Sequence, residues 1–132
     1  MTVLIAVRDL VFRSKIESSA RSVEVSAVSA PRGQALASAV RTLRPRVVVA
    51  DLGEPGMLAA LRDVRAVEPH LRIIGFFGHL RDDLAEVARE MGVEVYTRGQ
   101  LAARIDLLLS RDGSGAPLSQ TTGNGAGPLS QT

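Results

Sequence analysis

The sequence lacks cysteine and tryptophan, and its only aromatic residues are three Phe and one Tyr. Without cysteine the chain has no disulfide, iron–sulfur cluster, thiolate zinc site or thiol nucleophile. Two histidines, His70 and His79, are too few for a multi-histidine metal centre. The scarcity of aromatic rings argues against a stacking platform for single-stranded nucleic acid. These absences exclude several classes of metalloprotein and nucleic-acid-binding protein.

Long apolar runs are also missing. The apolar start, residues 3–7, is too short for a signal sequence or a membrane span, so we expect a cytoplasmic protein with no membrane partner. The formal net charge is only +2, and every basic residue except Lys15 is an arginine. The arginines are dispersed along the chain and form no basic helix, which argues against a nucleic-acid partner.

The composition changes near residue 112. Residues 113–132 carry no charge and no aromatic ring, and they are rich in Gly, Ser, Thr and Gln. Such a segment buries too little apolar surface to offset its ordering entropy. The sequence therefore predicts a domain over residues 1–110 and a flexible tail over residues 111–132. The whole chain is 45% hydrophobic, which is enough for the domain to form a core.

The tail contains a five-residue repeat. Three interpretations stay open: duplication in a neutral linker, an engineered extension, or a bivalent linear motif that binds a partner through both copies. The two copies are Pro117, Leu118, Ser119, Gln120, Thr121 and Pro128, Leu129, Ser130, Gln131, Thr132.

Short β-branched runs alternate with longer segments of helical spacing across the first 110 residues. The third and fourth runs are almost continuously apolar, which is typical of central parallel strands covered on both faces. Five strand–helix pairs favour a flavodoxin-like (βα)5 fold, a doubly wound parallel sheet in the order 2-1-3-4-5. Strands are predicted at residues 2–7, 22–29, 46–52, 72–77 and 93–97.

Polar residues collect where the first and third predicted strands end. Asp51, which ends the third strand, is either a phospho-accepting aspartate or a loop or N-cap residue. Asp9 is either half of an acidic pair that holds Mg²⁺ or the N-cap of a helix beginning at Leu10. Arg8 occupies the position where a second carboxylate would help to bind the metal, and its charge repels a divalent cation.

The fourth and fifth strands end differently. Phe77 and Gly78 offer no side-chain hydroxyl. His79 is either a general base or an ordinary loop histidine. Arg98 follows the fifth strand, where it either pairs with Asp51 or lies in solvent.

These strand ends resemble those of the receiver domain of two-component response regulators, and the resemblance covers about residues 2–110. It implies that Asp51 matches the phospho-acceptor, Asp9 matches one member of the acidic pair, and Arg98 stands where the family has a lysine. The segments that carry the resemblance read TVLIAVRD, VVVADL, RIIGFFGH and VYTR.

The departures from the family pattern indicate lost chemistry. Arg8 replaces the other acid, Phe77 replaces the switch hydroxyl, and Arg98 replaces the lysine. The resemblance then implies a stand-alone pseudo-receiver, a non-enzymatic signalling or scaffold protein in which Arg98 or Arg8 pairs with Asp51 and locks one conformation. The alternative is a single-domain response regulator that is phosphorylated on Asp51 in a phosphorelay and uses Mg²⁺, for which Asp9 and Asp51 are the candidate ligands. Only that alternative involves a cofactor.

Receivers commonly meet their partners through the fourth helix, the fifth strand and the fifth helix. A protein partner, or a second copy of the chain in a homodimer, is expected on this surface. A flavodoxin-like enzyme or small-molecule binder is disfavoured, because no glycine-rich phosphate loop follows the first strand and no aromatic pair could hold a flavin. The surface includes Asp82, Glu86, Tyr96 and Leu101.

Overall fold

The computed structural model describes residues 2–78 and 82–110. Strands and helices alternate along the chain. The strands are β1 (Thr2–Ala6), β2 (Ser26–Ser29), β3 (Val47–Asp51), β4 (Arg72–Phe77) and β5 (Glu94–Thr97). The helices are α1 (Leu10–Ser22), α2 (Leu36–Leu43), α3 (Met57–Val67), α4 (Asp82–Glu90) and α5 (Arg98–Leu109).

The strands form one parallel sheet in the order β2-β1-β3-β4-β5, which confirms the predicted doubly wound topology. β1 and β3 are aligned with Ala6 opposite Ala50, and Asp51 lies opposite Phe76 of β4. The carboxyl ends of the three central strands therefore meet at one edge of the sheet, the place where such folds build their sites.

Each face of the sheet is covered by one apolar layer. Because side chains alternate along a strand, Leu4, Val48 and Ile73 pack on one face against α2, α3 and α4. Their neighbours, such as Ile5 and Val49, pack on the other face against α1 and α5. Fully burying a Leu, Ile or Val side chain contributes about 1.5–3 kcal/mol, so both faces hold the helices firmly.

The second strand begins four residues later than the predicted 22–29, because the end of α1 uses the backbone groups of residues 22–25. The N–H of Val25 donates to the carbonyl of Ala20 at 2.8 Å, and the N–H of Glu24 donates to the carbonyl of Arg21 at 3.1 Å. This is a Schellman ending, with Glu24 in the left-handed position at φ 61°. The alternation of Val23 and Val25 imitates a strand but belongs to this turn.

The other predicted boundaries agree with the structure to within a residue or two. No helix in the described ranges is long and apolar enough to cross a membrane. Both copies of the tail repeat, and His79, lie outside the described residues.

Candidate functional site

Asp9 lies at the start of α1, and both of its carboxylate oxygens are occupied. Oδ1 accepts the N–H groups of Val11 at 3.0 Å and Phe12 at 3.2 Å, so Asp9 is the N-cap of the helix. Oδ2 accepts Nη1 of Arg98 at 2.9 Å. The hydrogen bond from the Phe12 N–H, followed by the one from Arg98, lowers the pKa of Asp9 below its ordinary value.

Arg98 is held by an aromatic pair as well as by this carboxylate. Its guanidinium carbon lies 4.8 Å from the ring centre of Phe12 and 5.5 Å from that of Phe76. The two rings pack 4.7 Å apart at 52° and present their faces to the cation. A capping box between Thr97 and Gln100 starts α5 at this point. Arg98 therefore joins α5 to α1 and to the sheet.

Phe76, and not Phe77, is the β4 side chain at this site. Successive strand residues face opposite sides of the sheet. Phe76 accordingly lies on the α1–α5 side, while Phe77 is buried among the residues that face α2, α3 and α4. Phe77 is a core residue. Gly78, just beyond β4, is exposed, and a methyl group added there would meet nothing within 4 Å.

Asp51 lies half-buried at the carboxyl end of β3 and forms a local turn. Its Oδ1 accepts the N–H of Gly53 at 2.9 Å. It is not a helix cap, because α3 begins at Met57 with Gly56 as its N-cap. Within residues 2–78 and 82–110, no hydrogen bond or ion pair reaches its other oxygen, Oδ2. Asp51 is therefore the last residue of β3, with one carboxylate oxygen that has no partner among the described residues.

The expectation that Arg98 or Arg8 pairs with Asp51 is wrong. Arg98 instead forms an ion pair with Asp9. Nε of Arg8 lies 3.8 Å from Oε2 of Glu54, and the side chain of Arg8 is 72% exposed. An ion pair of that length at the surface contributes little stability. The sequence could not reveal this choice, because it depends on α5 packing beside α1.

The residues at this edge do not fit a bound Mg²⁺. The ion takes six oxygen ligands in octahedral geometry, of which one or two usually come from carboxylates and several from water. Both oxygens of Asp9 are already occupied, and the guanidinium of Arg98 neutralises that carboxylate. In the part of the chain that the structure describes, no group of three or more Asp, Glu or His side chains could hold a metal.

The predicted partner surface is only partly a surface. Glu86 is exposed on α4, and Tyr96 is half-buried in β5. The side chain of Asp82 lies outside the described residues. Leu101 was wrongly placed on this surface, because it is 0% exposed and packs on the inner side of α5.

A polar network beside Tyr96 was not foreseen. Arg72 donates to both oxygens of Glu94, at 2.7 and 3.0 Å, and also to the carbonyl of Leu108 at 3.0 Å. The Tyr96 hydroxyl donates to Oε1 of Glu94 at 3.4 Å. Burial, followed by the charge of Glu94, raises the pKa of Tyr96 to about 12. Only the strand register brings Arg72 next to Glu94, since 22 residues separate them.

The chain matches no protein-family model and no curated protein, but it is similar to many solved structures. The signal receiver domain of the response regulator NarL from Mycobacterium tuberculosis matches with a TM-score of 0.72 and 18% identity, over 87% of this chain and 97% of that one. A CheY-like protein, TadZ, from Pseudomonas aeruginosa PAO1 matches with a TM-score of 0.69 and 16% identity, over 83% and 96%. A LuxR-family two-component response regulator from Aurantimonas sp. SI85-9A1 matches with a TM-score of 0.64 and 26% identity, over 82% and 83%. These likenesses show that the chain has the fold of response-regulator receiver domains.

Proposed function

We propose that this chain is a cytoplasmic signalling or scaffold module of receiver fold that acts through protein contacts and transfers no phosphoryl group. The observation that carries the proposal is the bond between Asp9 and Arg98 over the Phe12 and Phe76 rings. Phosphoryl transfer needs a cation that is free to neutralise the transferring group. Here Arg98 and Asp9 neutralise each other.

The end of β4 supports the same proposal. A phosphoryl group on Asp51 would need donors from the neighbouring strand to bind its oxygens. Phe77 is buried in the core, and Gly78 has no side chain. Neither residue can report the state of Asp51 through a moving hydroxyl.

The second candidate function is phosphorylation of Asp51 in a two-component relay. One observation favours it: Oδ2 of Asp51 has no partner in the described ranges, and the residue is half-exposed at the strand end. A phosphoryl donor would therefore find a reachable oxygen. Against this candidate, the carboxylate of Asp9 is paired with Arg98, and residues 2–78 and 82–110 contain no cluster of three metal-binding side chains.

Incubation with acetyl phosphate and Mg²⁺, followed by intact-mass measurement, separates the two functions. The proposal predicts the mass of the unmodified chain at every time point. The Asp51→Asn variant, treated identically, is the matched control for modification elsewhere. A phosphoryl adduct that forms on the wild type and is absent from Asp51→Asn would overturn the proposal in favour of the relay.

The contact surface that we assign to the partner combines α4, β5 and α5. Glu86 and the edge of Tyr96 lie there, and Leu107 of α5 is 68% exposed. Arg104 and Leu107 are three residues apart and therefore neighbours on one face of α5. Leu107→Lys should reduce recovery of a bound protein in affinity capture, whereas Lys15→Glu on α1 should leave that recovery unchanged. Equal recovery with Leu107→Lys would exclude this surface.

The repeated Pro-Leu-Ser-Gln-Thr segment is assigned a second contact, in which two identical copies raise the apparent affinity for a partner with paired grooves. Scrambling residues 117–121 or 128–132 alone should lower recovery partly, and scrambling both should lower it further. If the doubly scrambled chain recovers the partner as well as the wild type does, the repeat is a neutral linker.

A further inference from the structure

The edge strand β2 is short, but it carries no charged residue and no proline against strand pairing. Natural edge strands are blocked by Lys, Pro, bulges or covering elements. β2 reads Ser-Ala-Val-Ser, and Val28 is 38% exposed. The opposite edge, β5, differs because Glu94 and its partner Arg72 place charges along it.

The unpaired backbone groups of β2 can be assigned from the ladder with β1. The N–H of Ala30 donates to the carbonyl of Ile5 at 2.8 Å. Because the direction alternates along a strand, Val28 also faces β1, while Ala27 and Ser29 point their N–H and C=O groups away from the sheet. Within the described residues these outward groups have no partner.

Two copies of β2 can pair antiparallel through these outward N–H and C=O groups only in certain registers. If Val28 lies on a two-fold axis opposite its own counterpart, Ala27 of one copy faces Ser29 of the second copy. Each such pair then exchanges two N–H···O=C bonds. The central valines form a non-hydrogen-bonded pair, in which side chains approach most closely. Their exposed apolar surface is thereby covered.

The same register is complementary in charge. It brings the turn that holds Glu24 in one copy near the turn that holds Arg32 in the other, once at each end of the paired strands. Both side chains are exposed, and neither has an ion-pair partner in the described ranges. A groove of about 500 Å³ lies along this edge and is lined by Glu17, Arg21 and Glu24 as well as β2. Its two carboxylates suit an incoming guanidinium.

The backbone conformation of Glu24 also indicates a role for its carboxylate at this edge of the sheet. Its φ of 61° lies in the left-handed region, where glycine is the usual residue at a helix end. Glycine would remove the strain but would supply no carboxylate. The strained turn holds a charged side chain at the mouth of the groove.

We propose that β2 is a self-association edge, through which two copies of the chain join antiparallel about Val28 into one continuous sheet. The interface is small, so association in the micromolar range is expected. The proposal is independent of whether Asp51 is phosphorylated.

Sedimentation velocity of the full chain over a concentration series tests this proposal. The wild type should dimerise, and Val28→Lys should be monomeric because two lysines would meet on the axis. Glu24→Arg and Arg32→Glu should each raise the dimer Kd at least about tenfold, by juxtaposing like charges. The double variant Glu24→Arg/Arg32→Glu should restore the wild-type Kd.

Glu90→Arg, which makes the same charge change on α4, is the matched control and should dimerise like the wild type. Circular dichroism confirms that each variant is folded. A wild type that stays monomeric at several hundred micromolar would overturn the proposal, as would a double variant that fails to recover. A dimer lost in Leu107→Lys but kept in Val28→Lys would also overturn it and would place the interface on α5.

Discussion

Arg98 is held by three side chains of two kinds: one carboxylate and two aromatic rings. The ion pair with Asp9 is more than a third exposed on both sides, so water and salt weaken it. The Phe12 and Phe76 rings are buried, and stacking a guanidinium on such rings contributes about 0.5–1 kcal/mol. The position of Arg98 is therefore fixed as much by the rings as by the charge.

The first prediction concerns the replacement of Arg98. Arg98→Lys keeps the charge but loses the planar group that lies over the rings, so the free energy of unfolding should fall by about 0.5–1 kcal/mol. Arg98→Ala should lower it further, because the ion pair is lost as well. Urea denaturation measures both differences. Equal stability of Arg98→Lys and the wild type would show that the rings do not hold the cation.

The second prediction concerns acid. The pKa of Asp9 is lowered in the folded chain, so its contribution to stability is complete above the ordinary value. That contribution is lost as the pH falls from there through the lower, folded value. Asp9→Asn keeps an N-cap side chain but has no charge to lose. The melting temperature of Asp9→Asn should therefore depend less on pH in this range than that of the wild type, and parallel curves would contradict the assignment.

The third prediction uses Tyr96, the only tyrosine in a chain without tryptophan. Its pKa is raised to about 12, so absorbance at the tyrosinate band should titrate near that value in the folded protein. Because the folded state holds the proton more tightly, stability should be lost as the pH rises from about 10 towards 12. Glu94→Gln should lower the pKa. A titration midpoint near 10 in the folded wild type would contradict the network.

The wrong predictions for single residues share one physical cause, which is the face of the strand or helix on which each side chain lies. Adjacent phenylalanines end β4, and only the strand's exact alternation decides that Phe76 meets Arg98 while Phe77 enters the core. Leu101 lies one helical turn before Ile105, and both are buried. Their four-residue spacing puts both on the inner face of α5, so Leu101 does not belong to the predicted partner surface. The helix cap at Asp9, by contrast, was among the interpretations that the sequence favoured.

At the scale of elements, Arg65 connects three segments of the chain. Its guanidinium donates to the carbonyls of Met91 at 2.8 Å, Leu71 at 2.7 Å and Pro69 at 3.0 Å. These carbonyls belong to the α4–β5 turn and the α3–β4 loop, whose backbone acceptors would otherwise depend on water. One side chain thereby fixes how α3 and α4 end.

The fourth prediction follows from this connection. Arg65→Lys replaces a rigid fork of donors by a single ammonium, and the loss of charge-assisted bonds should lower the free energy of unfolding by about 2–4 kcal/mol. Arg62→Lys, at an exposed position of the same helix, is the matched control and should change stability by less than about 0.5 kcal/mol. Urea denaturation measures both. Equal effects would show that the carbonyls are satisfied by solvent instead.

Element type was predictable because short β-branched runs alternate clearly with segments of helical spacing in this chain. Strand order followed from the usual topology of five strand–helix pairs. The first residue of β2 was not predictable from these patterns. A Schellman turn at Glu24 occupies residues that a pattern of alternating valines assigns to a strand. A glycine at the end of a helix usually marks such a turn in the sequence, and here a glutamate occupies that position.

At the scale of the whole molecule, the receiver fold is complete, and Asp9 and Arg98 at its strand ends are paired with each other. Both faces of the sheet are covered, and the two edges differ in character: charged at β5 and open at β2. The proposed function relies on these surfaces, since Asp9 and Arg98 are paired with each other. Function is expected from those surfaces, because the chemistry of a site and the fold beneath it are separable.

Backbone amide NMR spectra with beryllofluoride and Mg²⁺ test the central claim most directly, since beryllofluoride imitates a phosphoryl group on an aspartate. The internally paired site predicts spectra that do not change beyond salt effects, in the wild type as in Asp51→Asn. Saturable shifts at stoichiometric reagent around Asp51 and Arg98, absent in Asp51→Asn, would contradict it.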